Sequence, residues 1–134
     1  MIIILCLDNN NGMLFHQRRQ SRDKLVIENI IETFQGHLIH INSFSKILFE
    51  EFPENIIIDE NFLSNSCDTD ICFVENEDIS KYEDKISKII VYQWNRDYPF
   101  DVKCNIDFSQ YQLTSVIEFK GNSHSVITRE EYSK

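Results

Sequence analysis

Proline, glycine and cysteine are scarce in this sequence. Its 134 residues include only two prolines, three glycines and four cysteines, and no segment is low-complexity or repeated. Composition therefore marks no linker, and we expect one domain over residues 1–134. No apolar run approaches the ~20 residues that span a bilayer. The apolar residues 1–7 follow no basic segment and are not typical of a signal peptide, so we expect a cytoplasmic protein without membrane contact.

Positive charge is also scarce. The sequence has 13 Lys and Arg residues and 22 Asp and Glu residues, which gives a net charge of -9. This balance opposes electrostatic capture of nucleic acid by the protein as a whole, and we expect no nucleic-acid partner. An acidic face that binds a protein partner is compatible with it.

Metal and hydrolase motifs are absent. Cys67 and Cys72 have no second Cys or His pair at zinc spacing, and we expect reduced structural thiols. His37 and His40 lie three apart on a predicted strand and face opposite sides, so we expect no metal. His124 follows Ser123 on another predicted strand. Adjacent strand residues face opposite sides, which excludes the hydrogen bond of a Ser–His pair.

Apolar periodicity predicts alternating strands and helices. Ser21 caps a helix with Ile27, Ile30, Ile31 and Phe34 on one face, and Gly36 ends it. Asn42 or Ser43 caps a second helix, and Glu77 or Asp78 opens a third. Strands are predicted at 2–7, 37–41, 55–59, 71–74 and 88–94, and a hairpin at 113–119 and 124–128. The pattern predicts an α/β fold: a mostly parallel central sheet flanked by helices, with a C-terminal antiparallel hairpin.

This order of parts resembles dihydrofolate reductase. The segments that carry the resemblance are Ile2 to Leu7, the loop Gly12-Met13-Leu14-Phe15, Asp23 at a helix start, Cys72-Phe73-Val74, Lys88 to Trp94, Tyr98-Pro99 and Asn122-Ser123-His124-Ser125. The resemblance implies that Asp23 is the carboxylate that holds a pterin ring and assists its protonation. Asp23 is the one catalytic residue we predict. A carboxylate buried among Leu5, Phe15 and Ile27 would have a raised pKa.

The cofactor motifs of that family are replaced. Where the reductases have a Gly-Gly pair against the cofactor diphosphate, this chain has Glu75 and Asn76, followed by Glu77 and Asp78. Side chains block that approach, and two like charges ~4 Å apart cost about 4 kcal/mol at an effective dielectric of 20. The family's Gly-Arg-x-Thr phosphate turn reads Asn42-Ser43-Phe44-Ser45 here. We therefore expect no nicotinamide cofactor in the usual mode.

A cationic segment is the main candidate for ligand binding. Arg18, Arg19, Arg22 and Lys24 with Asp23 give a local charge of +3 beside a helix start. Arginine pairs with phosphate or carboxylate, although these arginines have many carboxylates of their own protein to pair with. The predicted ligand-binding residues are Phe15, Arg18, Arg19, Arg22, Asp23, Ser43 and Ser45, where the two serines hydrogen-bond an anion without supplying charge.

A second resemblance is to short bacterial proteins labelled ribonuclease Z. Asn11 to Phe15, Arg18 to Asp23 and Tyr92 to Arg96 carry it. Ribonuclease Z is a di-zinc nuclease with a His-x-His-x-Asp-His motif. The four histidines of this chain form no such motif, so the resemblance does not bring the nuclease activity with it.

Together these patterns predict a non-reductase binding protein of dihydrofolate reductase-like fold. Its expected ligand is a small anionic heterocycle, nucleotide- or pterin-like, or else a protein partner. Two alternatives stay open: an NADPH-dependent reductase with an atypical cofactor site, and an acidic protein-interaction module.

Overall fold

The computed structural model describes all 134 residues, which form two sheets with short helices around them. The α-helices are α1 (Lys24–Thr33) and α2 (Phe62–Asn65), and 3₁₀ helices cover Ser43–Phe49, Pro53–Asn55, Ile79–Lys85 and Phe108–Gln110. The strands are β1 (Ile2–Leu7), β2 (Gly12–Phe15), β3 (Arg18–Arg19), β4 (Ile39–Ile41), β5 (Ile56–Ile58), β6 (Ile71–Phe73), β7 (Lys88–Gln93), β8 (Val102–Lys103), β9 (Gln112–Phe119) and β10 (Ile127–Ser133). No helix combines the length and the apolar composition needed to cross a membrane.

The main sheet has seven strands in the order β5-β4-β6-β1-β7-β10-β9. Every pairing from β5 to β7 is parallel, and β10 pairs antiparallel with both β7 and β9. Because strand residues alternate between faces, Ile3, Leu5 and Leu7 of β1 join one core cluster and Ile4 joins the other. The prediction of a mostly parallel sheet with a C-terminal hairpin is confirmed.

The α1 helix follows its amphipathic pattern. Ile27 and Ile30 are buried against the sheet, and Ile31 and Phe34 pack at the edge of the same cluster. The predicted cap was wrong by two residues, since Asp23 rather than Ser21 is the N-cap and accepts a hydrogen bond from the Leu25 N–H. A carboxylate at this position also interacts favourably with the helix dipole.

The second strand of the hairpin was placed too early. It runs over Ile127–Ser133 rather than 124–128, with Ile127 opposite Phe119. His124 therefore lies in the loop before the strand. The alternation of side chains along a strand does not restrict its contacts there, so a hydrogen bond between His124 and a serine is not excluded. The small sheet β3-β2-β8 was not predicted, because strands of two to four residues carry no periodic signal.

Candidate functional site

Four side chains of different chemistry, among them the predicted Ser45, lie where the parallel strands end. Ser45 follows β4, Glu75 follows β6, Trp94 follows β7, and Cys6 is near the end of β1. The carboxyl edge of a parallel sheet is where ligands bind in open α/β folds. Arg19 reaches this edge from the small sheet, and it lines one small cavity together with Cys6, Glu75 and Trp94.

Glu75 is the centre of an ionic cluster, which we call the Glu75 cluster (Glu75, Arg19, Ser45 and the Phe44 carbonyl). Arg19 donates from Nε to Glu75 Oε1 at 2.8 Å and from Nη2 to Oε2 at 3.0 Å. Ser45 Oγ donates to Oε2 at 2.7 Å, and Arg19 Nη2 also donates to the Phe44 carbonyl at 2.8 Å. The guanidinium lies 4.5 Å from the centre of the Phe44 ring. Such a bidentate, stacked arginine is the strong form of an ion pair.

The Glu75 cluster is largely shielded from water. The side chain of Glu75 is 9% exposed and that of Arg19 is 21% exposed. Arg19 and Ser45 were each predicted to bind an anion, and the structure brings them together on the carboxylate of Glu75. The two groups that would hold a phosphate are thus already paired with a negative charge.

Ser43 is placed differently from Ser45. It is exposed at the start of the 3₁₀ helix, and its backbone N–H donates to Glu60 Oε1 at 2.7 Å. Behind it, Asn42 Nδ2 donates to Asn76 Oδ1 at 2.8 Å. The turn predicted to contact an anion is therefore joined to the residues after β6 by side-chain contacts at two points.

Asp23 ties the start of α1 to the loop before β10. Its Oδ1 accepts the N–H groups of Leu25 at 3.0 Å and Asn122 at 2.8 Å, and its Oδ2 accepts the N–H of Ser123 at 2.7 Å. The loop packs closely on the carboxylate, since a Cβ built on Gly121 would lie 2.5 Å from Oδ2. Glycine at this position lets the loop approach.

The environment of Asp23 lowers the pKa of its carboxyl group. Burial alone raises this pKa, but the hydrogen bonds from Asn122, Ser123, Leu25 and His124 outweigh burial. The predicted raised pKa was wrong because donors that stabilise the charged form surround the buried carboxylate. Phe15, expected to bury it, lies 37% exposed on β2 and stacks on His16.

His124 connects Asp23 to two hydroxyl groups. Its Nδ1 lies 3.3 Å from Asp23 Oδ2, and its Nε2 lies 2.9 Å from Tyr98 Oη and 3.3 Å from Ser21 Oγ. The ring stacks on Trp94 with centroids 4.6 Å apart. This network was missed because Ser21 and His124 are 103 residues apart. No local pattern signals such a contact.

An open groove of about 140 Å³ runs between α1 and the segment 47–52. A second cavity, of about 20 Å³, shares the lining residues Arg22, Asp23, Ile27 and Leu48 with this groove. That cavity holds about one water molecule.

Arg18 is exposed on β3, which pairs Arg18 with Phe15 of β2. Of the predicted ligand-binding residues, only Arg22 and Asp23 therefore line the groove.

Cations, acids and apolar groups all line the groove. The cations are Arg22 and Lys24, the acids other than Asp23 are Glu28, Glu50 and Glu51, and the apolar residues are Ile27, Ile47, Leu48 and Phe52. No group of three or more His, Cys, Asp or Glu side chains, in the groove or outside it, is positioned to hold a metal ion.

Comparison with known proteins identifies the architecture. No family model and no curated protein matches the sequence. Among solved structures, the chain is similar to dihydrofolate reductase from Enterococcus faecalis, complexed with NADP(H) and RAB-propyl. The TM-score is 0.69 at 8% identity, and the match covers 98% of this chain and 94% of that one. The chain thus has a dihydrofolate reductase-like fold over nearly its whole length, and at this identity the likeness establishes the fold alone.

Proposed function

We propose that the protein is a non-reductase that binds a small heterocycle bearing one anionic group. The observation that carries this proposal is the Glu75 cluster. At the position where the reductases keep bare backbone for a diphosphate, Glu75 presents a carboxylate that Arg19 and Ser45 already bind. A diphosphate would have to displace this carboxylate and then lie beside it, at a cost of several kcal/mol.

The hydrogen bonds of Asp23 support the same conclusion. A carboxylate that holds a pterin ring needs acceptor sites facing the ring. Both oxygens of Asp23 already accept backbone N–H groups, and Oδ2 also lies next to His124. Releasing these bonds would leave partly buried backbone N–H groups without an acceptor, each costing about 1 kcal/mol.

The composition of the groove favours a ligand with a single anionic group. Arg22 and Lys24 are suited to a carboxylate or a phosphate monoester. Glu28, Glu50 and Glu51 line the same groove, suit the N–H donors of a heterocycle, and disfavour a ligand with several negative charges. Ile27, Ile47, Leu48 and Phe52 provide apolar surface for a flat ring.

A thermal-shift panel of pterins, nucleotides and anionic heterocycles tests this proposal. A ligand at 100 times its Kd adds about 2.7 kcal/mol to the free energy of unfolding and raises Tm by several degrees. We expect Arg22→Ala to abolish the shift, because Arg22 lines the groove. The matched control, Arg18→Ala, removes a cation that does not line it and should keep the shift.

Two results would contradict the proposal. Oxidation of NADPH in the presence of dihydrofolate would identify a reductase with an atypical cofactor site. A panel without any shift, together with a protein that co-purifies, would favour the acidic interaction module.

A further inference from the structure

Asp23, His124 and Ser21 form a continuous chain of polar contacts. The Asp23 carboxylate lies 3.3 Å from His124 Nδ1, and His124 Nε2 lies 3.3 Å from Ser21 Oγ. This is the order of groups in a Ser–His–Asp triad, which is recognised by geometry and roles rather than by sequence position. Both distances are slightly longer than the roughly 2.6–3.2 Å of a tight hydrogen bond.

The contacts of His124 set the roles of its two nitrogens. Because the Asp23 carboxylate accepts at Oδ2, the proton of the neutral imidazole lies on Nδ1, and Nε2 is the acceptor. Stacking on Trp94 and burial of the side chain, which is 2% exposed, hold the ring in this orientation. The lowered pKa of Asp23 keeps its carboxylate ionised at neutral pH, which suits this role.

Ser21 lies at the protein surface. It is partly exposed and lines the cavity of about 20 Å³, which shares Arg22 and Asp23 with the groove. The backbone N–H groups of Ser21 and Arg22 make no hydrogen bond within the protein and are free to donate to an oxyanion. In serine hydrolases the N–H of the nucleophile itself commonly has this task.

We propose that the protein hydrolyses small carboxylic esters, with Ser21 as nucleophile and His124 as general base. Asp23 is the positioning residue that orients His124. Arg22 selects esters that carry an anionic group, and this preference rests on the groove binding proposed above. The Ser21–His124–Asp23 chain itself does not depend on it.

The reaction proceeds in two balanced halves. Ser21 Oγ bonds to the carbonyl carbon while its proton passes to His124 Nε2; the ester C–O bond then breaks, and the alcohol leaves with that proton. Water next attacks the acyl-serine carbonyl and gives a proton to Nε2. The bond from carbon to Oγ breaks, Oγ recovers the proton, and the acid is released. The net reaction is ester plus water to acid plus alcohol.

Tyr98 competes with Ser21 for the same acceptor. Its hydroxyl lies 2.9 Å from Nε2, nearer than Ser21 Oγ at 3.3 Å. In Tyr98→Phe, Nε2 is available to Ser21 alone. We therefore expect this variant to react with an electrophile at least as fast as the wild type.

Labelling with a neutral fluorophosphonate tests the proposal directly. Ser21 Oγ bonds to phosphorus as fluoride leaves, and peptide mass spectrometry locates the label. We expect the label on Ser21, and a fall in rate of about 100-fold or more in Ser21→Ala. Ser125→Ala is the matched control, because Ser125 is exposed beside His124 and should label like the wild type. Asp23→Asn should label more slowly than the wild type at neutral pH, since an amide favours the wrong imidazole tautomer.

The outcomes separate this proposal from the proposed function. An unlabelled wild type, or a label on Tyr98 or another residue, overturns the triad whatever the thermal-shift panel gives. A labelled Ser21 supports it even if no metabolite binds, because the probe is neutral. The preference for anionic esters is measured separately, as the hydrolysis rate of p-nitrophenyl hemisuccinate against p-nitrophenyl acetate. Arg22→Ala should remove that preference.

Discussion

Glu75→Ala is expected to lower the free energy of unfolding by about 2–3 kcal/mol and to create an anion site. The variant leaves the Arg19 guanidinium against the Phe44 ring and carbonyl without its carboxylate, and Ser45 Oγ without an acceptor. The expected loss is below the 3–5 kcal/mol of a fully buried pair because Arg19 keeps some contact with water. Urea unfolding of both proteins measures it.

Phosphate should restore part of that stability. Titrated at constant ionic strength, phosphate should raise the Tm of Glu75→Ala. At ten times its Kd it should add about 1.4 kcal/mol to the free energy of unfolding. The wild type should respond less, because its Arg19 and Ser45 are already paired with Glu75. Glu77→Ala is the matched control, because Glu77 makes no ion pair or hydrogen bond through its side chain and should change neither stability nor phosphate response. An equal phosphate response in Glu75→Ala and the wild type would contradict the assignment.

Asp23→Ala should be the most destabilising single change at this edge, costing about 3–5 kcal/mol. The variant removes the N-cap of α1 and leaves the N–H groups of Asn122 and Ser123 without their acceptor. Asp107→Ala is the control, since Asp107 caps a short helix locally through the Ser109 N–H and joins no distant segment. We expect a clearly smaller loss there. Comparable losses in the two variants would show that Asp23 is only a local cap.

The pH dependence follows from the lowered pKa of Asp23. A carboxyl group whose pKa is lower in the folded state contributes its full stability above the ordinary value of 3.8 and loses it as pH falls through the folded value. The stability advantage of the wild type over Asp23→Asn should therefore shrink as the pH falls below ~4. Urea unfolding from pH 7 to pH 2 measures this difference, and a difference that grows on acidification would contradict it.

The sequence predicted the parts of the fold that repeat regularly. The apolar run of β1 and the helical stripe of α1 follow from burial on two faces and on one face, and both were placed within a few residues. The start of β10 was misplaced because Asp23 holds residues 122 and 123 outside the sheet. That constraint comes from a residue about a hundred positions earlier and leaves no trace in local periodicity.

The candidate site was predicted in its residue types more than in its partners. Arg19 and Ser45 were predicted to bind an anion, and Glu75 to oppose one. Their mutual pairing joins residues 30 and 56 positions apart and depends on strand order, which composition does not specify. Asp23 was marked as functional only through the family resemblance, and its bond to His124 required the three-dimensional structure.

Calorimetric titration of NADPH into the wild-type protein tests most directly whether the Glu75 cluster excludes a dinucleotide. We predict no binding tighter than millimolar, because Arg19 and Ser45 are already bound to Glu75. Micromolar binding, with the diphosphate lying against residues 75 and 76 in a crystal of the complex, would contradict it.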